Sequence, residues 1–179
     1  MSDRGLGLGL ALMFCLGCER DAQQACSDLR DAIWETDGLA VFDVLLQNTK
    51  WSVATVHKLH RQMARDILEN YPAPVQQSAL SRLQLGPTER ELFGDLYHER
   101  YAADFKERVA PDMPLVHKGP RQALCGAHKA FVLERGRDGN FGLSELDAEW
   151  EAAKLRAFHD QETVTKNADL YRRERSGRP

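Results

Sequence analysis

Two pairs of titratable side chains stand at helical spacing in this 179-residue chain. His57-Lys-Leu-His60 sets two imidazoles three residues apart, and Asp95-Leu-Tyr-His98 does the same for a carboxylate and an imidazole. On a helix, neighbours at this spacing share a face. Imidazole and carboxylate are the groups that move protons near neutral pH. Four of them on two facing helices also form a ligand set for a metal in a helical bundle. However, no His-Glu-x-x-His and no Glu-x-x-His occurs. His60 falls on an apolar stripe, where a hydrogen-bonded core histidine is the ordinary outcome. We therefore assign no metal and no cofactor. His57, His60, Asp95 and His98 remain the candidates for acid–base chemistry.

Other chemistry-bearing patterns are weaker. Asp138-Gly-Asn-Phe-Gly-Leu-Ser-Glu-Leu-Asp147 invites comparison with a calcium loop. In that register Gly136 takes the first ligand position and Phe141 the position that needs glycine, so two essential positions fail. A β-hairpin explains the same residues. Cys125 with His128 is too common a pairing to carry nucleophilic catalysis. His159-Asp160 is solitary and falls on the polar face of its helix. No Gly-x-Ser-x-Gly occurs. Gly5-x-Gly7-x-Gly9 has neither a preceding strand nor a following Gly-Lys-Ser/Thr, so it is no phosphate loop.

The elements that must carry these residues are mostly helical. Ala22, Cys26, Leu29 and Ile33 recur on one helical face, and Asp37-Gly38 punctuates its end. Residues 39–46 make a second, shorter amphipathic stretch broken by Asn48-Thr49. Val53, Val56, His60, Met63 and Ile67 mark a third helix that ends before Pro72. Val75, Ala79, Leu80 and Leu83 mark a fourth, stopped by Gly86. Thr88-Glu-Arg-Glu91 is a capping box opening a fifth helix that runs to about Val109. Residues 111–120 read as irregular. Two apolar runs flank Gly136-Arg-Asp-Gly139, which predicts a hairpin over 130–146, with residues 122–128 as a neighbouring strand. From Asp147 a long helix follows, with a break near His159-Asp160 left open. The fold class is α+β, mostly helical, with a small late antiparallel sheet and a long C-terminal helix.

Composition narrows the function classes. The chain is 42% hydrophobic and 28% charged, which excludes disordered and fibrous classes. A formal charge of −3 argues against nucleic acid as a partner. Residues 5–17 carry no charge, and Cys18-Glu-Arg-Asp21 turns abruptly polar. A polar start followed by a short apolar run and a small residue describes a signal peptide. Leu16-Gly17-Cys18 resembles the lipobox of bacterial lipoproteins. That resemblance implies a diacylglyceryl group on Cys18, cleavage after Gly17 and attachment to a membrane of the cell envelope. Cys15 stands where the family usually has Leu. The resulting division is a signal peptide at 1–17, a lipid-anchored linker at 18–21 and a single domain at 22–176.

Export would leave Cys26 and Cys125 as the remaining thiols. An oxidising compartment allows them to pair. Two separate buried cysteines are the alternative, since Cys26 lies on an apolar face. The helical lead-in and the late Asp-Gly-Asn-Phe-Gly-Leu-Ser-Glu-Leu run resemble lipoprotein-type members of the NTF2-like (SnoaL-like) superfamily. That resemblance implies a cone-shaped pocket between helices and sheet. It does not decide function, because the fold hosts enzymes and binding modules alike.

The expectation is an envelope-anchored lipoprotein whose domain is a non-enzymatic binding or structural module. Its partners would be the membrane, through the anchor, and a protein or small ligand. The alternative is a periplasmic enzyme with a pocket lined by His57, His60, Asp95 or His98. A cytosolic protein with a false signal is a third reading. Arg172, Arg173, Arg175 and Arg178 complement the dipole of the last helix, with anionic lipid headgroups as an alternative partner.

Overall fold

The structure, a computed structural model, describes residues 20–177. The candidate signal peptide with its Cys15, the lipidation candidate Cys18 and Arg178 lie outside those residues. Three side-chain caps start three of the helices. Asp21 accepts the Gln24 N–H at 2.7 Å ahead of α1 (Ala22–Trp34). Asp37 accepts from Leu39 and Ala40 ahead of α2 (Gly38–Val44). Thr88 accepts from Glu91 N ahead of α5 (Glu89–Leu96), and its own hydroxyl donates to the Glu91 carboxylate at 2.8 Å. Each cap satisfies N–H groups that the first turn leaves without a helical acceptor.

The end of α1 differs from the reading of Asp37-Gly38 as a stop. Thr36 carries the left-handed conformation, with φ 58°. Its N–H donates to Ile33 O, and the Asp37 N–H reaches back to Ala32 O at 2.8 Å. This is a Schellman closure with a β-branched residue where glycine is usual. Gly38 is needed for another reason. A Cβ there would meet the backbone of Gly94 at 3.0 Å, so it allows α2 to cross α5 closely.

Asn48-Thr49 breaks nothing; both lie inside α3 (Gln47–Asn70). The chain turns earlier, at Leu45 and Leu46, whose extended backbone joins the sheet. Leu45 bridges Leu143 in parallel, and Leu46 N donates to Leu143 O at 3.1 Å. A short α4 (Ala73–Leu80) buries no residue, and a loop over 81–88 leads to α5. The fifth helical region does run to Arg108, but a π-turn (Tyr97–Tyr101) separates α5 from α6 (Ala102–Arg108). Phe93, Tyr97, Tyr101 and Phe105 are spaced by four, and in an α-helix each such step overshoots a full turn by roughly 40°. The wider π-turn resets that drift and keeps the row together. Phe93 lies 6.4 Å from Tyr97 and 6.3 Å from Tyr101, and Tyr97 lies 5.8 Å from Phe105.

The sheet has one strand more than the sequence suggests. β1 (Leu115–Gly119) falls in the stretch read as irregular. Its Pro114 and Pro120 flank the strand rather than interrupt it, and its side chains are mostly exposed, so it lacks the alternation that marks a half-buried strand. β2 (Gln122–Cys125), β3 (Phe131–Arg135) and β4 (Phe141–Leu143) follow, all antiparallel, in the order β1-β2-β3-β4. In the β3–β4 turn Gly139 has φ 85°, and Gly136 N donates to Asn140 O at 2.8 Å. Ala123, Cys125, Phe131, Leu133, Phe141 and Leu143 alternate onto one buried face. That face packs on α1, where Leu29 and Ile33 are fully buried. The space between helices and sheet is therefore occupied by packed side chains.

Cys26 of α1 and Cys125 of β2 form a disulfide, with Cα atoms 5.6 Å apart. Arg108 ties α6 to the same sheet. It forms a two-pronged pair with Glu145, both contacts at 2.7 Å, and its guanidinium lies 3.9 Å from the centre of the Phe131 ring. Finally, α7 (Asp147–Arg175) is continuous through His159 and Asp160, both exposed. It runs parallel to α3. Thr49 meets Asp147, Ser52 meets Glu151 and Asn70 meets Arg172, across near-constant separations of 98, 99 and 102 residues. Arg175 donates to Glu69 O and Asn70 O, and so complements the C-terminal end of α3 rather than that of α7.

Two stability tests follow from this geometry. Thr36→Gly should raise the unfolding free energy by about 1 kcal/mol, because glycine adopts positive φ without strain. Gly142→Ala should lower it by about 1–3 kcal/mol, since its Cβ would sit 2.8 Å from Val44 O. Urea titration that gave the same sign for both would refute this account. Replacing Cys26 and Cys125 together by Ala should cost about 2–5 kcal/mol, as the cross-link closes a long loop in the unfolded chain. An unchanged urea midpoint in the double variant would show that the cross-link contributes nothing.

Candidate functional site

The four acid–base candidates do not converge. His57 and His60 face the 81–88 loop. His57 Nε2 lies 2.8 Å from Gly86 O. His60 Nδ1 lies 3.2 Å from both the N and the O of Gln84, so either tautomer grips the loop. Burial pushes the His60 imidazole below its ordinary value. Asp95 and His98 are exposed on α5 and the π-turn, and the His98 ring packs edge-on against Tyr97. Among the described residues no group of three or more His, Cys, Asp or Glu is placed to hold a metal ion. Asp138 spends its carboxylate on Asn140, whose side chain holds it below the usual carboxylate range. Cys125 is in the disulfide, and His128 is exposed.

His57 borders a surface groove shared with Leu85, Gly86 and Pro87, and His60 lines a separate cleft. The cleft lies between α3, the loop after α4, the π-turn and α7, with a volume of about 230 Å³. Small-molecule pockets span roughly 300–1,000 Å³, so this one suits a compact group. Arg82, Arg100 and Arg156 reach it from three different elements. Val56, Leu96, Ala153 and Ala157 give it an apolar lining.

Its polar groups are mostly donors. The Tyr101 hydroxyl donates to Glu149 at 2.7 Å. Burial first, and then the neighbouring Glu149 carboxylate, raise the Tyr101 phenol well above its ordinary value, so it stays protonated. Trp150 lies in the cleft wall, 3% exposed, and its indole N–H has no hydrogen-bond partner among the described residues. The buried Tyr97 hydroxyl, at the start of the π-turn, is likewise unpartnered, and burial pushes it up to about 12. Asp160 is the remaining acidic group, and its charge acts on His60.

Sequence reasoning found His60 and the His159-Asp160 pair, but not this constellation. Arg82, Arg100, Glu149 and Arg156 are ordinary surface residues in sequence. They converge only because α7 runs alongside α3 and because the π-turn presents residues 100 and 101. A five-residue π-turn leaves no mark in a hydrophobic pattern that still reads as helix.

The burial of His60 has a consequence for pH. In the unfolded chain the imidazole titrates near 6.5, whereas in the folded protein it titrates lower. Between those values only the unfolded state takes up the proton. Stability should therefore fall as pH drops below 6.5 towards the folded value, and level off beneath it. In His60→Gln this component should vanish. Equal losses of urea midpoint in wild type and variant between pH 7.5 and 5 would contradict the assignment. No protein-family model matches the chain, and no curated protein or solved structure shows significant similarity to it.

Proposed function

We propose that this protein is a lipid-anchored lipoprotein of the bacterial cell envelope, and that its domain is a non-enzymatic binding or structural module. The observation that carries the proposal is the buried Cys26–Cys125 disulfide. Structural disulfides persist in oxidising compartments and are rare where thiols are kept reduced. A bond joining α1 to the sheet therefore supports export, in agreement with the uncharged run and the lipobox-like Leu16-Gly17-Cys18. The scatter of His57, His60, Asp95 and His98 supports a binding role over the enzyme alternative, which needs them in one concave site.

The chain before α1 is clipped to the sheet. Arg20 N donates to Asn140 Oδ1 at 2.7 Å, Phe141 N donates to Arg20 O at 2.9 Å, and the Arg20 guanidinium donates to Asp43 O. Two residues of chain reach at most about 7 Å. A lipid on Cys18 would thus hold the β3–β4 turn, with Arg135 and Arg137, beside the bilayer. The arginines at the end of α7 lie at the other end of a 29-residue helix, about 43 Å long at 1.5 Å per residue. Headgroup contact would then fall to the turn rather than to the tail.

Attachment itself would depend on acyl chains. Each buried CH₂ contributes about 0.8 kcal/mol, and two chains hold stably where one does not. Wild-type protein expressed in a bacterium should partition with membranes and be cut after Gly17. Cys18→Ser should be neither cut nor lipidated, while Cys15→Ser should have a smaller effect. Metabolic labelling with a fatty acid, read beside membrane fractionation, checks this. Label retained in Cys18→Ser would reject the anchor.

A further inference from the structure

We propose that the cleft between α3, α7 and the π-turn binds a phosphate monoester group. The proposal rests on the binding-module reading above and gives that module a ligand class. Three guanidinium groups, of Arg82, Arg100 and Arg156, border a cleft of about 230 Å³. Several arginines elsewhere pair with carboxylates, among them Arg20 with Asp28, Arg30 with Asp31, Arg108 with Glu145 and Arg172 with Asp169. Among the described residues Arg82 and Arg156 make no such pair, although Glu149 and Asp160 line the same cleft. Glu149 is engaged by the Tyr101 hydroxyl at 2.7 Å. The side chains left to receive a ligand there are therefore chiefly donors.

A phosphate suits this donor set better than a carboxylate does. A carboxylate presents two oxygens in one plane, whereas a phosphate monoester offers three terminal oxygens to forks arriving from several directions. The apolar lining from Val56, Ala153 and Ala157 lowers the local dielectric, which strengthens those contacts. Trp150 lines the cleft, and its indole N–H is buried without an acceptor among the described residues. Such an orphan is normally removed by packing or satisfied by a partner. The π-turn that delivers Arg100 and Tyr101 is a feature found disproportionately at functional sites.

Trp150 also provides the readout. Trp34 and Trp51 are 59% and 63% exposed, while Trp150 is buried in the cleft wall. In the detergent-solubilised full chain carrying Trp34→Phe and Trp51→Phe, Trp150 emission is followed while phenyl phosphate, inorganic phosphate or sodium acetate is added at constant ionic strength. Both phosphates should give a saturable change, and acetate should give none. Arg156→Gln and Arg100→Gln should each weaken the phosphates about tenfold, the scale expected for one lost charge-assisted contact. Arg65→Gln, at an exposed position of α3, should leave the titration unchanged. Circular dichroism of each variant shows that it is folded. A flat titration would overturn the site, as would equal weakening by Arg65→Gln. Saturation by acetate at the same concentration would overturn the phosphate assignment. No membrane takes part, so failure here is distinct from failure of the anchor at Cys18.

Discussion

A short backbone seam decides how the rest of the molecule is arranged. Leu45 and Leu46, between α2 and α3, lie against Gly142 and Leu143 of β4 and share a hydrogen bond of 3.1 Å with the strand. Gly142 permits the contact, because any side chain there would strike the backbone of Val44 and Leu46. α3 starts directly after Leu46, and α7 starts four residues after Leu143. Two long helices that leave one point on the same side of the sheet must run the same way. The parallel α3–α7 pair is a consequence of where β4 sits.

That pairing sets both the stability and the surface of the helical half. Near its start it buries Thr49 and Ser52 against acidic groups of α7, and Lys154 reaches Glu151 at 2.6 Å while lying over the Trp51 ring. At its far end Tyr71 and Tyr171 meet edge to face with centres 5.0 Å apart. Neither helix is strongly amphipathic near its exposed end, where Leu68 and Leu170 remain in solvent. Tertiary contacts rather than helix propensity must therefore hold the last turns. The Cys26–Cys125 bond does the equivalent work on the other side, fixing α1 to the inner sheet face. The cleft opens along the helical pair, between α3, α7, the loop after α4 and the π-turn.

Local rules made much of this readable. The capping box at Thr88, the proline at 72 and the turn around Asp138-Gly139 are short-range signals, and the structure places elements where they point. Signals failed where tertiary contact overruled them. Gly38 looked like a helix stop and proved to be a crossing point, while Thr36 took the strained position. Asn48-Thr49 looked like a break because the cause of the real one, pairing of Leu45 with Leu143, lies 98 residues away in the chain. β1 was missed because it is an edge strand with mostly exposed side chains. For the site, spacing could show that His57 and His60 share a face. It could not show that a loop some 24 to 29 residues on would occupy them.

The irregular features sort by whether packing explains them. The left-handed Thr36 completes a Schellman closure and turns the chain into α2. The π-turn keeps four aromatic rings in one row. Arg108, a charge 12% exposed, is matched by both oxygens of Glu145 and by the Phe131 ring. The Tyr97 hydroxyl and the Trp150 indole N–H have no such explanation. Each costs about 1–3 kcal/mol relative to a satisfied group, and Phe at either position would avoid it. Both belong to the aromatic cluster around Phe93, beneath the π-turn. Sequences that specify one fold tend to break local rules chiefly where function asks for it. The unrepaid departures in this domain gather at the π-turn and at the wall of the arginine-bordered cleft, away from the disulfide, the seam and the hairpin, which are fully accounted for by packing.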